Sequence, residues 1–367
     1  MKIAVLGTRG FPNVQGGLET HCQNLYPRLV ELGCEVSVFA RRNYVGEDPA
    51  EYRGVKIIPL FSIKNIYLET PLHTFLGVFR AHKYKPDILH FQAIGSALFV
   101  PLAKLFGMKV VLTTHGSNYE HKKWGLISRT VLRIAEYLGM KFADEIISIS
   151  ATIAGEVLRK YKRTSTVIPN GIEPAAIPSS DSILKEYNLA RGRYILSTGR
   201  IIAGKGFSDL ITAFGNANLD GWKLVIAGKA NYSGKFSRRL HARAASNPNV
   251  ILPGFLSGRP LQEIYSHAGI FVLPSYYEGM SMALLEALSH GLSCIASDIP
   301  ANKEFDLEPD RYFAPGDDHT LAQKLELFST RPIPENERNA QIKKVTEKYD
   351  WNVVAKTTLT VLKRAIA

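Results

Sequence analysis

The chain has 367 residues, 46% of them hydrophobic and 21% charged, which is enough for two cored domains and ordinary for a globular protein. No long apolar run is free of charges and breakers: the longest, 94–112, contains Pro101, Lys104 and Lys109, which excludes a transmembrane helix there. The formal charge is +12, weighted toward the first half; it points to an anionic partner, and no nucleic-acid-binding module accompanies it. Residues 1–7 form too short an apolar run for a signal peptide. Cys22, Cys34 and Cys294 show no metal-ligand spacing and do not pair evenly, which fits free thiols in a reducing cytoplasm.

In chain order, short apolar strands are predicted at 2–6, 35–39, 55–59, 87–90, 109–113, 145–148 and 165–168. A second series follows at 194–198, 222–226, 249–251, 270–273 and 293–296, and amphipathic helical stretches separate the strands. This alternation predicts α/β architecture with parallel sheets. The stretch 169–180, rich in Pro, Asn, Gly and Ser, is the natural hinge between two domains.

The first strand ends in Gly7-Thr8-Arg9-Gly10-Phe11-Pro12, followed by Gln15-Gly16-Gly17-Leu18-Glu19. A glycine-rich loop ahead of a helix lets backbone approach phosphate. The spacing is not Gly-x-Gly-x-x-Gly, and the second strand runs into Arg41-Arg42 rather than an acidic residue, so a dinucleotide dehydrogenase is disfavoured. His115 follows the strand at 109–113, on a polar loop of the kind where open α/β sheets bind ligands. Within 119–142, Leu126, Ile127, Val131, Ile134 and Leu138 recur at helical spacing, with Lys122, Lys123, Arg129 and Arg133 as cations and Trp124 near the start. The apolar stripe reads as packing on the first domain; the basic start reads as the part that meets an anionic bilayer.

In the second half, Gly199-Arg200-Ile201-Ile202-Ala203-Gly204-Lys205-Gly206 nearly matches a P-loop, but Gly206 replaces the hydroxyl residue that would hold Mg²⁺. Arg200 and Lys205 remain placed to clamp a diphosphate. Further on, Glu278 and Glu286 stand eight positions apart, after the apolar strand 270–273. Ser281 caps the intervening helix, Ala283, Leu284, Ala287 and Leu288 give its apolar face, and Gly291 ends it. One carboxylate at each end of a helix N-terminus suits a sugar nucleotide, with phosphate at the N–H groups between them.

Together these segments resemble the retaining GT-B glycosyltransferases of family four (glycosyl transferases group 1). The resemblance is carried by Gly16-Gly17-x-Glu19, Val167-Ile168-Pro169-Asn170-Gly171-Ile172, Gly199-Arg200 with Lys205-Gly206, Asn249-Val250-x-x-x-Gly254-Phe255-Leu256, and Pro274-Ser275-x-x-Glu278-Gly279 running to Glu286-Ala287. It implies two Rossmann-like domains facing a cleft. Residues 1–172 would form the acceptor-binding domain, with the helix 351–367 packing back on it, and 173–350 the nucleotide-sugar domain. Arg200 and Lys205 would neutralise the leaving diphosphate without a metal or other cofactor. Gly16, Gly17, Gly228 and the backbone of Gly279, Met280, Ser281 and Met282 would hold the donor. Gly254, Phe255 and Leu256 would line the base, Glu286 the ribose, Glu278 the sugar hydroxyls, and His115 the sugar near the reacting carbon.

Arg9, Glu19, Asn118, Lys122, Lys123 and Trp124 would lie on the acceptor or membrane side. The implied partners are a nucleotide-sugar donor and a polyprenyl-phosphate-linked glycan of the cell envelope, met by a cytoplasmic enzyme peripheral to the inner face of the plasma membrane. Thr8-Arg9-Gly10-Phe11-Pro12 and His121-Lys122-Lys123-Trp124 resemble the bacterial rhamnosyltransferase-like branch. The sequence departs from the family at Ile299-Pro300-Ala301-Asn302-Lys303-Glu304, where Gly-Gly-x-x-Glu is usual, and at Gly228-Lys229-Ala230, where Gly-acidic-Gly is usual. Two other readings compete: an epimerase or phosphorylase on the same fold, and a non-enzymatic binder of anionic polymer.

Overall fold

The structure is a computed structural model that describes all residues except 49, 117–124, 176, 177, 179 and 231–233. The chain divides into two compact units, Met1–Gly171 with Tyr349–Ala367, and Ile172–Lys348.

The first unit is built on strands β1 (Lys2–Leu6), β2 (Glu35–Arg41), β3 (Ala50–Tyr52), β4 (Val55–Leu60), β5 (Ile88–Gln92), β6 (Val110–Thr114), β7 (Glu145–Ser148) and β8 (Thr166–Val167). Among the described residues they form one eight-stranded sheet in the order β3-β4-β2-β1-β5-β6-β7-β8. Every pair in it is parallel except β3 with β4. Every residue of β5 and β6 is buried, as expected of parallel strands covered on both faces. β3 was not predicted. It is a three-residue edge strand, and Arg53 (φ 48°) and Gly54 (φ 80°) form the two-residue turn that joins it to β4. Both turn residues lie in the left-handed region that such hairpins demand.

The closing helix, Trp351–Ile366, belongs to this unit. Asp350 caps it, accepting from the N–H groups of Asn352 and Val353, and Arg364 donates to Glu145 of β7 through two nitrogens, each at 2.7 Å.

The second unit contains β9 (Tyr194–Thr198), β10 (Lys223–Ala227), β11 (Val250–Ile251), β12 (Ile270–Leu273), β13 (Ser293–Ser297) and β14 (Tyr312–Phe313). Their order, β11-β10-β9-β12-β13-β14, is parallel throughout. The two-residue β14 was not predicted; no run of apolar residues announces it. Ile195, Leu224, Ile226, Ile270, Val272 and Ile295 pack from the sheet against Phe207, Leu210, Phe214 and Leu325 from its helices. That core fixes the C-terminal strand ends, where the candidate donor residues lie.

Candidate active site

In the second unit, four loops meet beyond the ends of β9, β10, β11 and β12. Tyr276 N–H donates to Gly204 O at 2.9 Å, and Gly228 N–H donates to Gly254 O at 2.7 Å. Gly206 has φ +66°, and a Cβ there would lie 2.0 Å from Pro274 O. The position that would carry the metal-holding hydroxyl in a P-loop therefore has no room for any side chain, because the β9 loop packs on the backbone that leads to Glu278.

That packing brings Lys205 to Glu278. Lys205 Nζ donates to Glu278 Oε1 at 2.6 Å, with the two side chains only 17% and 10% exposed. Ser275 Oγ donates to the same oxygen at 2.6 Å. Ser275 is held from behind: Asn302 Nδ2 donates to Ser297 O at 2.9 Å, and Ser297 Oγ donates to Ser275 O. The family departure at 299–304 thus places a buried asparagine, in the short helix Pro300–Lys303, behind the Glu278 loop.

The helix Met282–Ser289 starts just past Glu278, and Ser281 Oγ caps it by accepting from Leu284 N–H at 3.3 Å. Its first-turn N–H groups have no acceptor within the helix, which makes this end suited to an anion. Gly291, at φ +68°, ends the helix as the sequence pattern predicted. Glu286 lies two turns in, where Tyr265 OH donates to its Oε2 at 3.0 Å and Thr198 Oγ1 stands 2.6 Å from the same phenol. Burial pushes Glu286 up to about 7 against the pull of the Tyr265 hydrogen bond. On the far side of the strand ends, Lys229 Nζ sits 5.2 Å from the Phe255 ring centroid, a cation–π contact on the loop with Gly254 and Leu256. Arg200, on the β9 loop, is half-buried.

In the first unit, Gly16 precedes the helix Gly17–Glu31. Arg9 and Glu19 are buried and bonded to each other, Nε to Oε1 at 2.9 Å and Nη2 to Oε2 at 2.8 Å. A Cβ on Gly16 would lie 2.1 Å from Glu19 Oε2, so this ion pair dictates the glycine. His115 stands one residue past β6. Its Nε2 is 2.8 Å from Gln92 Oε1, and its ring meets His21 edge-on at 5.2 Å between centroids. Burial, with His21 and His90 nearby, holds its pKa well below the usual imidazole range. Asn118, Lys122, Lys123 and Trp124 lie outside the described residues.

The helix Leu126–Phe142 corrects one expectation. It buries Ala135, Glu136, Gly139 and Met140, while Leu126 and Ile127 are 80% and 82% exposed and Val131 and Ile134 are exposed too. Leu138 alone of the stripe is half-buried; the face that packs on the unit's core is that of Ala135, Glu136, Gly139 and Met140, where Gly139 approaches Ala97 too closely to carry a side chain. No helix among the described residues is long and apolar enough to cross a membrane.

Thr198 and Tyr265 in the second unit, and Gln92 and Tyr26 in the first, were not predicted from sequence, and Ser275 was singled out there only within the motif that leads to Glu278, without a role. Ser275 and Gln92 carried a signal, since each is a polar residue at the end of an apolar strand. Tyr265 carried none, because within the helix Gly258–Ser266 it reads as ordinary packing.

Two α/β units with parallel sheets, with cations and carboxylates gathered at the strand ends of the second, define the GT-B fold. Residues 15–176 match Glycosyltransferase Family 4 and residues 180–348 match Glycosyl transferases group 1, and the chain belongs to this glycosyltransferase family. It is 26% identical to an uncharacterized glycosyltransferase of Methanocaldococcus jannaschii, over 100% of this chain and 99% of that one. Sucrose-phosphate synthase from Thermosynechococcus elongatus matches it with a TM-score of 0.85 at 20% identity, covering 99% of this chain and 98% of the other. HepE of Anabaena, solved in complex with UDP-glucose, matches with a TM-score of 0.78 at 17% identity, over 99% and 100% of the two chains.

Proposed function

We propose that this protein is a retaining, metal-independent glycosyltransferase that moves a hexose-type sugar from a nucleotide sugar to a polyprenyl-phosphate-linked cell-envelope glycan. The observation that carries the reading is the Lys205–Glu278–Ser275 cluster at the start of the Met282–Ser289 helix, with Glu286 two turns further on. The helix N-terminus takes the diphosphate, and Lys205 and Arg200 neutralise the charge that develops as it leaves, the work a metal does elsewhere. Glu278 accepts from sugar hydroxyls, Glu286 from the ribose, and Gly254, Phe255 and Leu256 line the base. Gly16, Gly17 and Gly228 let backbone approach the donor, and His115 accepts from the sugar. The UDP-glucose held by HepE supports a nucleotide-sugar donor.

The exposed Leu126, Ile127, Val131 and Ile134, beside Arg129 and Arg133 on one helix, support peripheral attachment to an anionic bilayer at the cytoplasmic face. Phe75 and Phe79, exposed on the helix Glu69–Tyr84 of the same unit, add aromatic surface suited to the same role.

Incubation with radiolabelled UDP-, GDP-, ADP- and dTDP-sugars, with and without lipid-linked acceptors, tests this reading. Acceptor-stimulated release of nucleotide, persisting in EDTA and giving a product of unchanged anomeric configuration, is the expected result. Epimer formation without acceptor, or full loss in EDTA restored by Mg²⁺, would overturn it.

A further inference from the structure

The first unit holds a chain of buried polar side chains that the proposed function does not use. β5 reads Ile-Leu-His-Phe-Gln, and the two-residue period of a strand sends His90 and Gln92 to the same face. Gln92 pairs with Thr113 of β6 across the sheet, and Tyr26 comes down from the helix Gly17–Glu31. All four are fully or almost fully buried. Gln92 Nε2 donates to the Tyr26 hydroxyl at 2.7 Å, the hydroxyl stands 3.2 Å from His90 Nδ1, and His90 Nε2 is 2.8 Å from Thr113 Oγ1. The amide nitrogen of Gln92 is turned toward Tyr26 and His90 Nε2, the latter at 3.3 Å, and its oxygen faces His115 Nε2 at 2.8 Å. An amide oxygen only accepts, so Nε2 of His115 carries the ring proton. Among the described residues, His115 Nδ1 has no hydrogen-bond partner.

We infer that Gln92, anchored by Tyr26, is the positioning residue of His115: it fixes the neutral imidazole as the Nε2–H tautomer and leaves the Nδ1 lone pair to accept from a donor-sugar hydroxyl. The last step rests on the glycosyl-transfer reading; the tautomer does not. Loss of the Tyr26 hydroxyl frees the amide to turn over, and a turned amide offers a donor to His115 and inverts its tautomer. A side chain that touches neither donor nor acceptor thereby controls the polarity of the one that does.

The test is a long-range ¹H–¹⁵N correlation of the full-length protein labelled on histidine nitrogen, with the His115 signals identified by their loss in His115→Asn. Wild type should show His115 neutral with its proton on Nε2. In Gln92→Met and in Tyr26→Phe, both close in shape to the native residue, the two nitrogens should move toward averaged values. Gln92→Glu keeps an acceptor and should retain the Nε2 proton. In the transfer assay, Gln92→Met and Tyr26→Phe should lower kcat by roughly five- to tenfold, the effect of one hydrogen bond, with the KM for donor little changed. An Nδ1–H tautomer in wild type, or an unchanged one in both variants, would overturn the inference. A tautomer that shifts as stated with kcat unaltered would overturn the role of the lone pair alone. A wild type inert toward every donor would instead sink the glycosyl-transfer reading and leave the tautomer result standing.

Discussion

The strand ends around Glu278 in the second unit and around His115 in the first carry opposite chemistry. In the second, the groups are ionic: an ion pair between Lys205 and Glu278, Arg200 on the same loop as Lys205, and a carboxyl at Glu286 that ionises as pH rises through about 7. In the first, the groups around His115 are neutral: imidazole, amide, phenol and hydroxyl joined by hydrogen bonds. The difference matches two tasks. A leaving diphosphate carries charge that only cations and oriented N–H groups offset. A sugar hydroxyl asks for a well-aimed neutral acceptor, and a packed cluster of imidazoles cannot hold a proton, since burial pushes His21 down to about 4 and His90 to about 3.

The sharpest way to break this contrast is to remove the charge from the second unit. Lys205→Met should lower kcat/KM by roughly 10²–10³-fold, comparable to losing one preorganised donor to a developing anion. It should also cost about 3–5 kcal/mol of stability in urea unfolding, because it leaves Glu278 without its counter-ion in a largely buried site. Adding Glu278→Gln should recover most of that stability and none of the activity. Recovery of activity in the double variant would reduce the pair to scaffolding.

Acidity offers a second lever, and it acts on Glu286 of the second unit and on His21 and His90 of the first with opposite sign. Glu286 has its folded pKa raised to about 7. The folded state therefore holds the proton longer than the unfolded chain, and this contribution to stability is full at low pH and lost as pH rises through about 7. His21 and His90 have folded values lowered to about 4 and about 3, so unfolded chains bind protons that the folded unit refuses. The first unit loses stability as pH falls below the ordinary imidazole value of about 6.5. Hydrogen exchange followed by mass spectrometry, corrected for intrinsic rates, should show β5 weakening from pH 7 to 5 and β12 weakening less, because in the second unit the raised Glu286 opposes the lowered His267 and His290. Glu286→Gln should remove that opposition and weaken nucleotide binding by about 1–3 kcal/mol at pH 8, where the native side chain is ionised. Nucleotide binding by Glu286→Gln equal to wild type would remove the ribose role.

What was legible in the sequence follows the same division. The charged site was readable because its parts lie at strand ends and a helix start in local motifs: Gly199 to Gly206, and Glu278 to Glu286 with Ser281 as cap. Local spacing also located most of the strands, since buried parallel strands are continuous apolar runs. The neutral network was not readable. Residues 26, 90, 92 and 113 come from three elements, and only sheet register and the packing of the first helix on it bring them to His115. Periodicity likewise found the helix Leu126–Phe142 but not its orientation: the apolar stripe suggested the packed face, whereas the close fit of Gly139 on Ala97 and Leu112 turns that stripe outward.

That outward stripe gives the comparison with the smallest expected effect on the folded protein and the clearest on location. Leu126 and Ile127 lose little water on folding, so Leu126→Glu with Ile127→Glu should change stability by no more than about 0.5 kcal/mol, the usual range for surface positions. It should also leave turnover of a water-soluble acceptor analogue unchanged. Binding to vesicles behaves differently. Each large apolar side chain buried at the interface contributes about 1.5–3 kcal/mol, and each nearby cation about 1 kcal/mol at low screening. Co-sedimentation with anionic vesicles should therefore fall by more than tenfold in the double-glutamate variant. It should weaken with salt in the native protein and diminish further in Lys122→Glu with Lys123→Glu. Equal recovery of native and variant protein on anionic vesicles would leave the stripe an ordinary exposed helix face. Equal recovery of the native protein on neutral and anionic vesicles would remove the electrostatic part of the attachment and with it the role proposed for the basic residues.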